Sequence, residues 1–238
     1  MAATRRKTRS PRRPYHHGNL RRALLDEALA TIGAEGVDAL TLREIGARLD
    51  VSRTALYRHF ADKRALLAAV ATEGFRTLRQ QLHAAWEEEG RGDAAFHAMG
   101  VAYVHFAIDN PSRYRVMFGG FVDPQADDTE LAAEAEGAFR ALVDAIAALQ
   151  NDGIVHADDT VLMARYVWAL VHGLAMLGID GQLREQGAVD GVMRYAFARL
   201  RSGILAGTRT RALKLKITTR SHGEAEKDKR RKPRKKSE

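Results

Sequence analysis

The part of the sequence that decides the fold is residues 41–67, which read TLREIGARLDVSRTALYRHFADKRALL. Its first four residues form a Ser/Thr-x-x-Glu capping box, in which the hydroxyl of Thr41 accepts the backbone N–H of Glu44 and the glutamate reaches back to the N–H of Thr41. Such a box marks the start of a helix. The helix that follows is short, because the apolar periodicity stops at residues 49–52 after two turns.

A tight turn and another helix follow the interrupted one. Asp50 tolerates the left-handed backbone conformation that such a turn requires, and Ser52 is a favoured N-cap for a helix over residues 53–60. An amphipathic helix is predicted before them, over residues 20–34, and a longer helix begins after the capping residue Asp62. Two short helices joined by a turn and packed on a preceding helix are the parts of a helix-turn-helix unit.

The predicted helix at residues 53–60 has the size and surface chemistry of a helix that enters the major groove of DNA. At ~1.5 Å per residue it spans about 12 Å, which matches the width of that groove. Its apolar residues, Ala55, Leu56 and Phe60, are expected to pack inward. The residues left to face outward are Arg53, Thr54, Tyr57, Arg58 and His59, and groups of these types can bond base edges and phosphates.

The net charge of +8 is unevenly distributed along the chain. Residues 1–22 hold eight basic and no acidic side chains, and residues 209–238 hold thirteen basic and four acidic ones, which leaves −9 for the interior. Both ends are poor in apolar residues, so they are predicted to be flexible arms. The basic balance favours an anionic partner, and nucleic acid is the leading candidate.

Composition and motifs argue against several other classes of protein. At 45% apolar residues the chain can build a core, and the absence of cysteine excludes disulfide scaffolds and agrees with a reducing cytoplasm. The longest apolar stretch, 167–177, is too short to span a bilayer, and no apolar segment follows the basic start, so neither a membrane span nor a secretory signal is expected.

Enzyme, metal and cofactor sites are not expected either. The sequence has no phosphate-binding glycine loop, no His-Glu-x-x-His and no Gly-x-Ser-x-Gly motif. The pairs His16-His17 and Asp158-Asp159, the latter close to His156, lack further ligands at a telling spacing. Solvated loop and helix-cap roles are the better interpretation of these residues.

Residues 41–67 closely resemble the DNA-binding domain of the tetracycline-repressor (TetR) family. The matching elements are Thr41…Ile45-Gly-Ala, Val51-Ser52, Leu56-Tyr57-x-His59-Phe60 and Lys63…Leu66-Leu67. One departure is Asp50, where many members carry glycine in the turn. The resemblance implies an all-α fold with an N-terminal three-helix helix-turn-helix domain and a C-terminal helical domain for ligand binding and dimerisation.

The resemblance also implies roles for individual residues in binding double-stranded DNA. Ser52, Arg53 and Thr54 would open the recognition helix, with the latter two nearest the bases. Phosphate contacts would come from the set Thr41, Arg43, Tyr57, His59 and Lys63. A wedge between helices is the alternative for Tyr57, and Arg58 fits a phosphate contact and a solvated face equally well.

The larger C-terminal part holds a second, weaker resemblance. Trp168-Ala-Leu-Val-His172-Gly173 resembles the Trp-x-x-x-His-Gly (WHG) signature of one class of effector domains in the family, and residues 110–118 resemble the accompanying Pro…Tyr…Met-Phe segment. Such domains hold a cavity for a small-molecule effector, for which the candidate lining residues are Tyr103, Phe106, Met117, Phe121, Trp168 and His172. Ordinary core packing is the alternative for each of them.

These observations give a complete set of expectations. The chain is divided into a basic arm (1–18), a helix-turn-helix domain (19–75), an effector-binding and dimerisation domain (76–207) and a basic tail (208–238). The expected function is that of a cytoplasmic homodimeric transcriptional regulator, most simply a repressor, that binds a palindromic operator under effector control. A ligand-independent architectural protein that uses the same helix-turn-helix and basic arms is the alternative.

Overall fold

The computed structural model of the protein describes residues 20–123, 129–183, 185 and 187–204. Within these residues the chain forms nine α-helices and no β-strand, which confirms the predicted all-α fold. The helices are α1 (Leu20–Glu35), α2 (Leu42–Arg48), α3 (Arg53–Tyr57), α4 (Lys63–Glu88), α5 (Asp93–Asp109), α6 (Pro111–Phe118), α7 (Thr129–Asn151), α8 (Thr160–Ile179) and α9 (Ala188–Ile204). The predicted arms, 1–18 and 208–238, lie outside the described residues.

The capping chemistry predicted around the helix-turn-helix is largely confirmed. The hydroxyl of Thr41 accepts the N–H of Glu44 at 3.2 Å, and the hydroxyl of Ser52 accepts the N–H of Ala55 at 3.2 Å. Asp50 has a positive φ of 55°, as the turn requires. One detail differs from the prediction: the carboxylate of Glu44 accepts the hydroxyl of Thr41 at 2.8 Å instead of its backbone N–H.

The third helix is shorter than predicted. It ends at Tyr57 instead of residue 60, so its five residues rise about 7.5 Å rather than 12 Å. The cause is a change of hydrogen-bonding pattern, because the N–H groups of His59 and Phe60 both bond the carbonyl of Leu56. The last three residues of the predicted helix therefore form a turn that leads to the N-cap residue of α4, Asp62.

Close contacts hold the three short N-terminal helices together. Gly46 of α2 lies so near Leu56 of α3 that a Cβ atom there would be 2.9 Å from Leu56 Cδ1. Arg48 joins α2 to α1, since its guanidinium lies 2.6 Å from a carboxylate oxygen of Glu35 and 3.4 Å from one of Glu27. The helix-turn-helix is thus fixed by both apolar packing and ion pairs.

The long helix α4 connects the N-terminal helices to the rest of the fold. It packs against α1, α5, α6 and α7, and the expected domain boundary after residue 75 falls inside it. Both carboxylate oxygens of Glu134 on α7 bind arginines of α4, with Arg76 Nε at 2.8 Å and Arg79 Nη2 at 3.0 Å. α8 packs against α5, α7 and α9, so α4 to α9 form a helical bundle.

Helix α8 has an unusual surface. Among the described helices it alone is long and apolar enough to cross a membrane, with a mean hydropathy of 1.5, and only 33% of it is buried within the chain. A single helix of this kind does not define a membrane span, because core and interface helices share the same composition. Its exposed apolar side chains require another explanation.

Candidate nucleic-acid interface and ligand cavity

The polar side chains of α3 and the turn after it face solvent. Leu56 and Phe60 are 2% and 4% exposed and anchor the segment to the core. The side chains expected to face outward, Arg53, Thr54, Tyr57, Arg58 and His59, are all exposed. The helix therefore presents donors, acceptors and an aromatic ring from one well-anchored segment.

Neighbouring contacts restrict two of these side chains. The guanidinium of Arg53 lies over the ring of Tyr57, 5.5 Å from its centroid, which is a cation–π contact within one turn of helix. Ser52 is exposed although its hydroxyl caps α3. Thr41 and Arg43 at the start of α2 are also exposed, and the hydroxyl of Thr41 is already bonded to Glu44.

Basic residues beside this segment are partly engaged within the protein. Lys63 is half-buried and its Nζ donates to the carbonyl of Asp38 at 3.4 Å, which leaves other ammonium hydrogens available. Arg21 and Arg22 at the start of α1 both form ion pairs with Glu73 of α4. These two arginines are held against the protein rather than extended from it.

A cavity of about 830 Å³ lies among α4 to α9. Three of the predicted lining residues, Tyr103, Met117 and Trp168, form part of its wall. The remainder of the wall is mostly apolar and includes Phe75, Leu78, Phe96, Phe118, Phe139, Leu142, Phe197 and Leu200. A volume of this size accommodates a drug-sized molecule.

The other three predicted lining residues do not reach the cavity wall. Phe106 is 2% exposed and packs in the core between helices. Phe121 follows α6 on the surface, 41% exposed, with its ring packed at the backbone of Gly119. His172 lies behind the wall, where it contacts Trp168 with ring centroids 5.8 Å apart.

Four polar side chains behind and within the wall form one hydrogen-bonded chain. The indole N–H of Trp168 donates to Tyr103 Oη at 3.0 Å, and the two tyrosine oxygens, of Tyr103 and Tyr114, are 2.8 Å apart. Tyr114 Oη is 2.6 Å from Nδ1 of His172. Because indole can only donate, Tyr103 Oη accepts from Trp168, and its own hydrogen is left for Tyr114 Oη or for Nδ1 of His172, which lies 3.3 Å away. In the tautomer with Nδ1 unprotonated, the imidazole accepts from the tyrosine hydroxyls.

Burial sets the protonation states of this chain. It raises the pKa of Tyr103 to about 12 and raises that of Tyr114 still further, so both phenols stay protonated near neutral pH. Burial also lowers the pKa of His172, which favours the neutral imidazole that can accept at Nδ1. The polar capacity of these groups is therefore satisfied within the protein.

Sequence reasoning missed Tyr114 and most of the wall. Tyr114 lies in the segment that resembles a family signature, and it is completely buried with its hydroxyl in the network. The wall residues of α4, α7 and α9 follow the ordinary apolar periodicity of amphipathic helices, which gives no signal that separates a cavity wall from a solid core.

The chain has an exposed helix-turn-helix joined to a helical bundle with a ligand-sized cavity. These features place it in the class of DNA-binding helix-turn-helix proteins. Comparison with known proteins gives the family. The model described as "Bacterial regulatory proteins, tetR family" matches residues 24–70, and "Tetracyclin repressor-like, C-terminal domain" matches residues 96–200. The chain belongs to the TetR family of transcriptional regulators, which are not a class of enzymes.

Relatives and solved structures agree with this assignment. The uncharacterized HTH-type transcriptional regulator Rv0681 of Mycobacterium tuberculosis is 26% identical over 188 residues, 77% of this chain and 81% of that protein. The uncharacterized HTH-type transcriptional regulator YobS of Bacillus subtilis is 32% identical over 97 residues, and the match spans 41% of this chain and half of that protein.

Among solved structures, a protein of unknown function from Rhodococcus sp. RHA1 is 34% identical with a TM-score of 0.72, covering 82% of this chain and 100% of that one. The SmeT–triclosan complex has the same fold at 24% identity and a TM-score of 0.56, covering 81% of this chain and 98% of that one.

Proposed function

We propose that this protein is a cytoplasmic, homodimeric transcriptional repressor whose affinity for a palindromic operator is controlled by a small molecule in the cavity. The observation that carries this proposal is the combination of an exposed, anchored α3 with a ligand-sized cavity in the same chain. Each subunit places α3 in the major groove, and the two half-sites lie about one helical turn, roughly 10 bp, apart.

The exposed side chains divide into two roles at the operator. Arg53 and Thr54, at the start of α3, read base edges, and Ser52 opens the helix. Phosphate contacts come from the residues around them, namely Thr41, Arg43, Tyr57, Arg58, His59 and Lys63. Phosphate contacts set the register and most of the affinity, while base contacts set the sequence preference.

The exposed face of α8 and α9 supports the dimer. Among the described residues, seven of the nine large apolar side chains that remain exposed lie on these two helices, including Leu162 (63%), Tyr166 (57%) and Tyr195 (64%). Gly173 and Gly191 have open space where a Cβ atom would be, so a partner helix can approach closely there. Burial of this face against a second copy removes it from water.

The small residues of α8 and α9 do not all serve that face. Ala175 is completely buried within the chain, and a Cβ atom on Gly178 would be 3.3 Å from Ile108 of α5. These two positions therefore support packing inside one subunit. The open glycines Gly173 and Gly191 fit the interface between two subunits.

The cavity and the exposed face share a residue. Trp168 forms part of the cavity wall and is also one of the exposed apolar side chains of α8. A ligand that moves Trp168 therefore moves the dimer face and the spacing of the two recognition helices, a coupling of ~1–3 kcal/mol. Membership of the Trp-x-x-x-His-Gly effector class is part of this proposal, and the existence of a SmeT–triclosan complex with the same fold supports the binding of a small molecule.

The test is selection of bound sequences from a random DNA pool with the full-length protein. The expected product is one palindromic sequence family, and the Arg53→Ala/Tyr57→Ala double variant should lose it. Arg140→Ala, which removes an exposed arginine of α7, is the matched control and should select the same family. Broad enrichment without a palindrome would support an architectural role instead, and unchanged selection by the double variant would contradict the assignment of α3.

A further inference from the structure

The charged side chains of the cavity wall lie at one end of the cavity. They are Glu89, which directly follows α4, Asp93, which is the first residue of α5, and Arg201, which lies in the last turn of α9. Tyr103, on the same wall, lies ten residues beyond Asp93 along α5, so the two ends are about 15 Å apart. The cavity therefore has a charged end, called the mouth because Glu89 there is exposed, and an apolar end at Tyr103 and Trp168, called the inner end.

The inner part of the cavity does not require a ligand to supply hydrogen-bonding groups. Its polar wall atoms there, the hydroxyl of Tyr103 and the indole N–H of Trp168, are bonded to each other, and the hydroxyl also contacts Tyr114. The surrounding wall is aromatic and aliphatic. A ligand group at this end gains stability mainly by removing apolar surface from water and by contact with aromatic faces.

The mouth carries an excess of negative charge. Arg201 forms an ion pair with Asp93, so these two charges compensate each other. Glu89 forms no ion pair with any residue that the structure describes, and the nearby Arg91 is already paired with Glu87. The carboxylates and the guanidinium of the mouth therefore sum to −1, which repels an anion and attracts a cation.

We propose that the cavity binds an amphiphilic organic cation, with an apolar body inside and an ammonium-type head group at Glu89 in the mouth. Seven aromatic rings of the wall add to this preference, because the faces of aromatic rings attract cations. They are Phe75, Phe96, Tyr103, Phe118, Phe139, Trp168 and Phe197. The inference rests on the proposed function only in assigning the cavity to an effector.

Three probes that share one alkyl chain test this ligand class: decyltrimethylammonium, decanoate and decanol. Binding is measured by titration calorimetry on the full-length protein without DNA, below the micelle concentration of each probe. Decyltrimethylammonium should bind about tenfold more tightly than decanoate. Binding of decanoate or decanol as tight as that of the cation, or no binding of any probe, would overturn the proposal.

Single substitutions test where the cationic head group of decyltrimethylammonium binds. Glu89→Gln should weaken the binding of decyltrimethylammonium about threefold and leave decanol unchanged. Glu88→Gln is the matched control, because Glu88 is exposed on the same turn but is not part of the wall. Equal effects of the two substitutions would overturn the site. Ala135→Phe, which fills the cavity from α7, should weaken all three probes, and unchanged binding would place the probes elsewhere and overturn the proposal.

A DNA-release assay keeps the two proposals separate. Operator binding by the ligand-free protein tests the proposed function, and calorimetry tests the ligand class. A protein that binds the cation but keeps its DNA would contradict effector control while the ligand class stands. A protein that binds its operator but prefers the anion would contradict the ligand class alone.

Discussion

The hydroxyl of Tyr114 on α6 lies 2.6 Å from Nδ1 of His172 on α8. Tyr114 is completely buried, and the polar partners of its hydroxyl are His172 and Tyr103. The histidine lies at the end of the hydrogen-bonded chain that begins at Trp168. A residue of the sequence signature thus holds two helices together from behind the cavity wall.

Replacement of His172 should destabilise the fold. His172→Phe removes one of the two hydrogen-bond partners of the buried Tyr114 hydroxyl, so the free energy of unfolding should fall by about 1–3 kcal/mol in urea titrations. His83→Phe, at an exposed position of α4, is the control and should have little effect. In the Tyr114→Phe background the His172→Phe substitution should cost less, and equal costs in both backgrounds would rule out the pairing.

The same histidine should make stability depend on pH. Burial lowers the pKa of His172 in the folded chain, so below about pH 6.5 the unfolded state binds a proton that the folded state does not. The free energy of unfolding should therefore fall as the pH falls from about 6.5 toward the lower folded-state pKa. A series of urea titrations checks this slope, and His172→Gln should flatten it. An unchanged slope in that variant would refute the assignment.

The helix-turn-helix could be predicted from the sequence because local chemistry determines it. The capping residue Ser52 and the turn residue Asp50 act on their own backbone, so their roles are encoded within a few residues. The predicted end of α3 at residue 60 was wrong, because the turn after Tyr57 depends on how Phe60 packs into the core. Packing of that kind is not visible in local sequence.

The cavity was only partly predictable. Trp168 and Tyr103 were identified through a resemblance and an apolar pattern, but Phe139 and Phe197 look like ordinary core residues in the sequence. Whether apolar faces of several helices meet tightly or leave a space depends on how far apart the helices pack, and no single helix encodes that distance. The position of the Glu89 carboxylate at the cavity depends on the fold, which brings the ends of α4, α5 and α9 together.

The connection between α4 and α7 should depend on Glu134. Burial alone would raise the pKa of Glu134, but hydrogen bonds from Arg79 and Arg76 lower it below its usual value. The carboxylate thus stabilises the fold at neutral pH, and this contribution is lost as the pH falls through the lowered pKa. Glu134→Gln should cost about 1–2 kcal/mol in urea titrations at neutral pH. Glu136→Gln, at an exposed site on the same helix, should cost much less; similar losses would contradict the role.

The exposed face of α8 and α9 should control the oligomeric state. Leu162→Glu and Tyr195→Glu place charges on two of its most exposed apolar side chains, so each should shift the protein from dimer to monomer. Sedimentation velocity measures the shift directly. Phe121→Glu is the control, because Phe121 is also an exposed aromatic residue but lies after α6. A dimer that survives the first two substitutions would exclude this face as the interface.

Glu73 of α4 compensates positive charge from two helices and should be required for stability. Its carboxylate lies 3.2 Å from Arg21 and 3.4 Å from Arg22 of α1, and it also attracts Arg113 of α6. Burial lowers the pKa of the Arg113 guanidinium, whose Nε has no hydrogen-bond partner among the described residues. Removal of the opposing carboxylate therefore leaves a poorly solvated cation in place.

We expect Glu73→Gln to destabilise the fold and a second substitution, Arg113→Met, to restore part of the lost stability. Glu73→Gln should lower the free energy of unfolding by about 1–3 kcal/mol, because Arg113 then loses the larger of its two compensating charges and keeps only the weaker attraction of Asp26. Arg113→Met in the Glu73→Gln background should restore part of that loss, since methionine fills similar space without a charge. Urea titrations of the wild type, both single variants and the double variant measure the coupling. A double variant less stable than Glu73→Gln alone would show that Arg113 contributes mainly through contacts that do not involve Glu73.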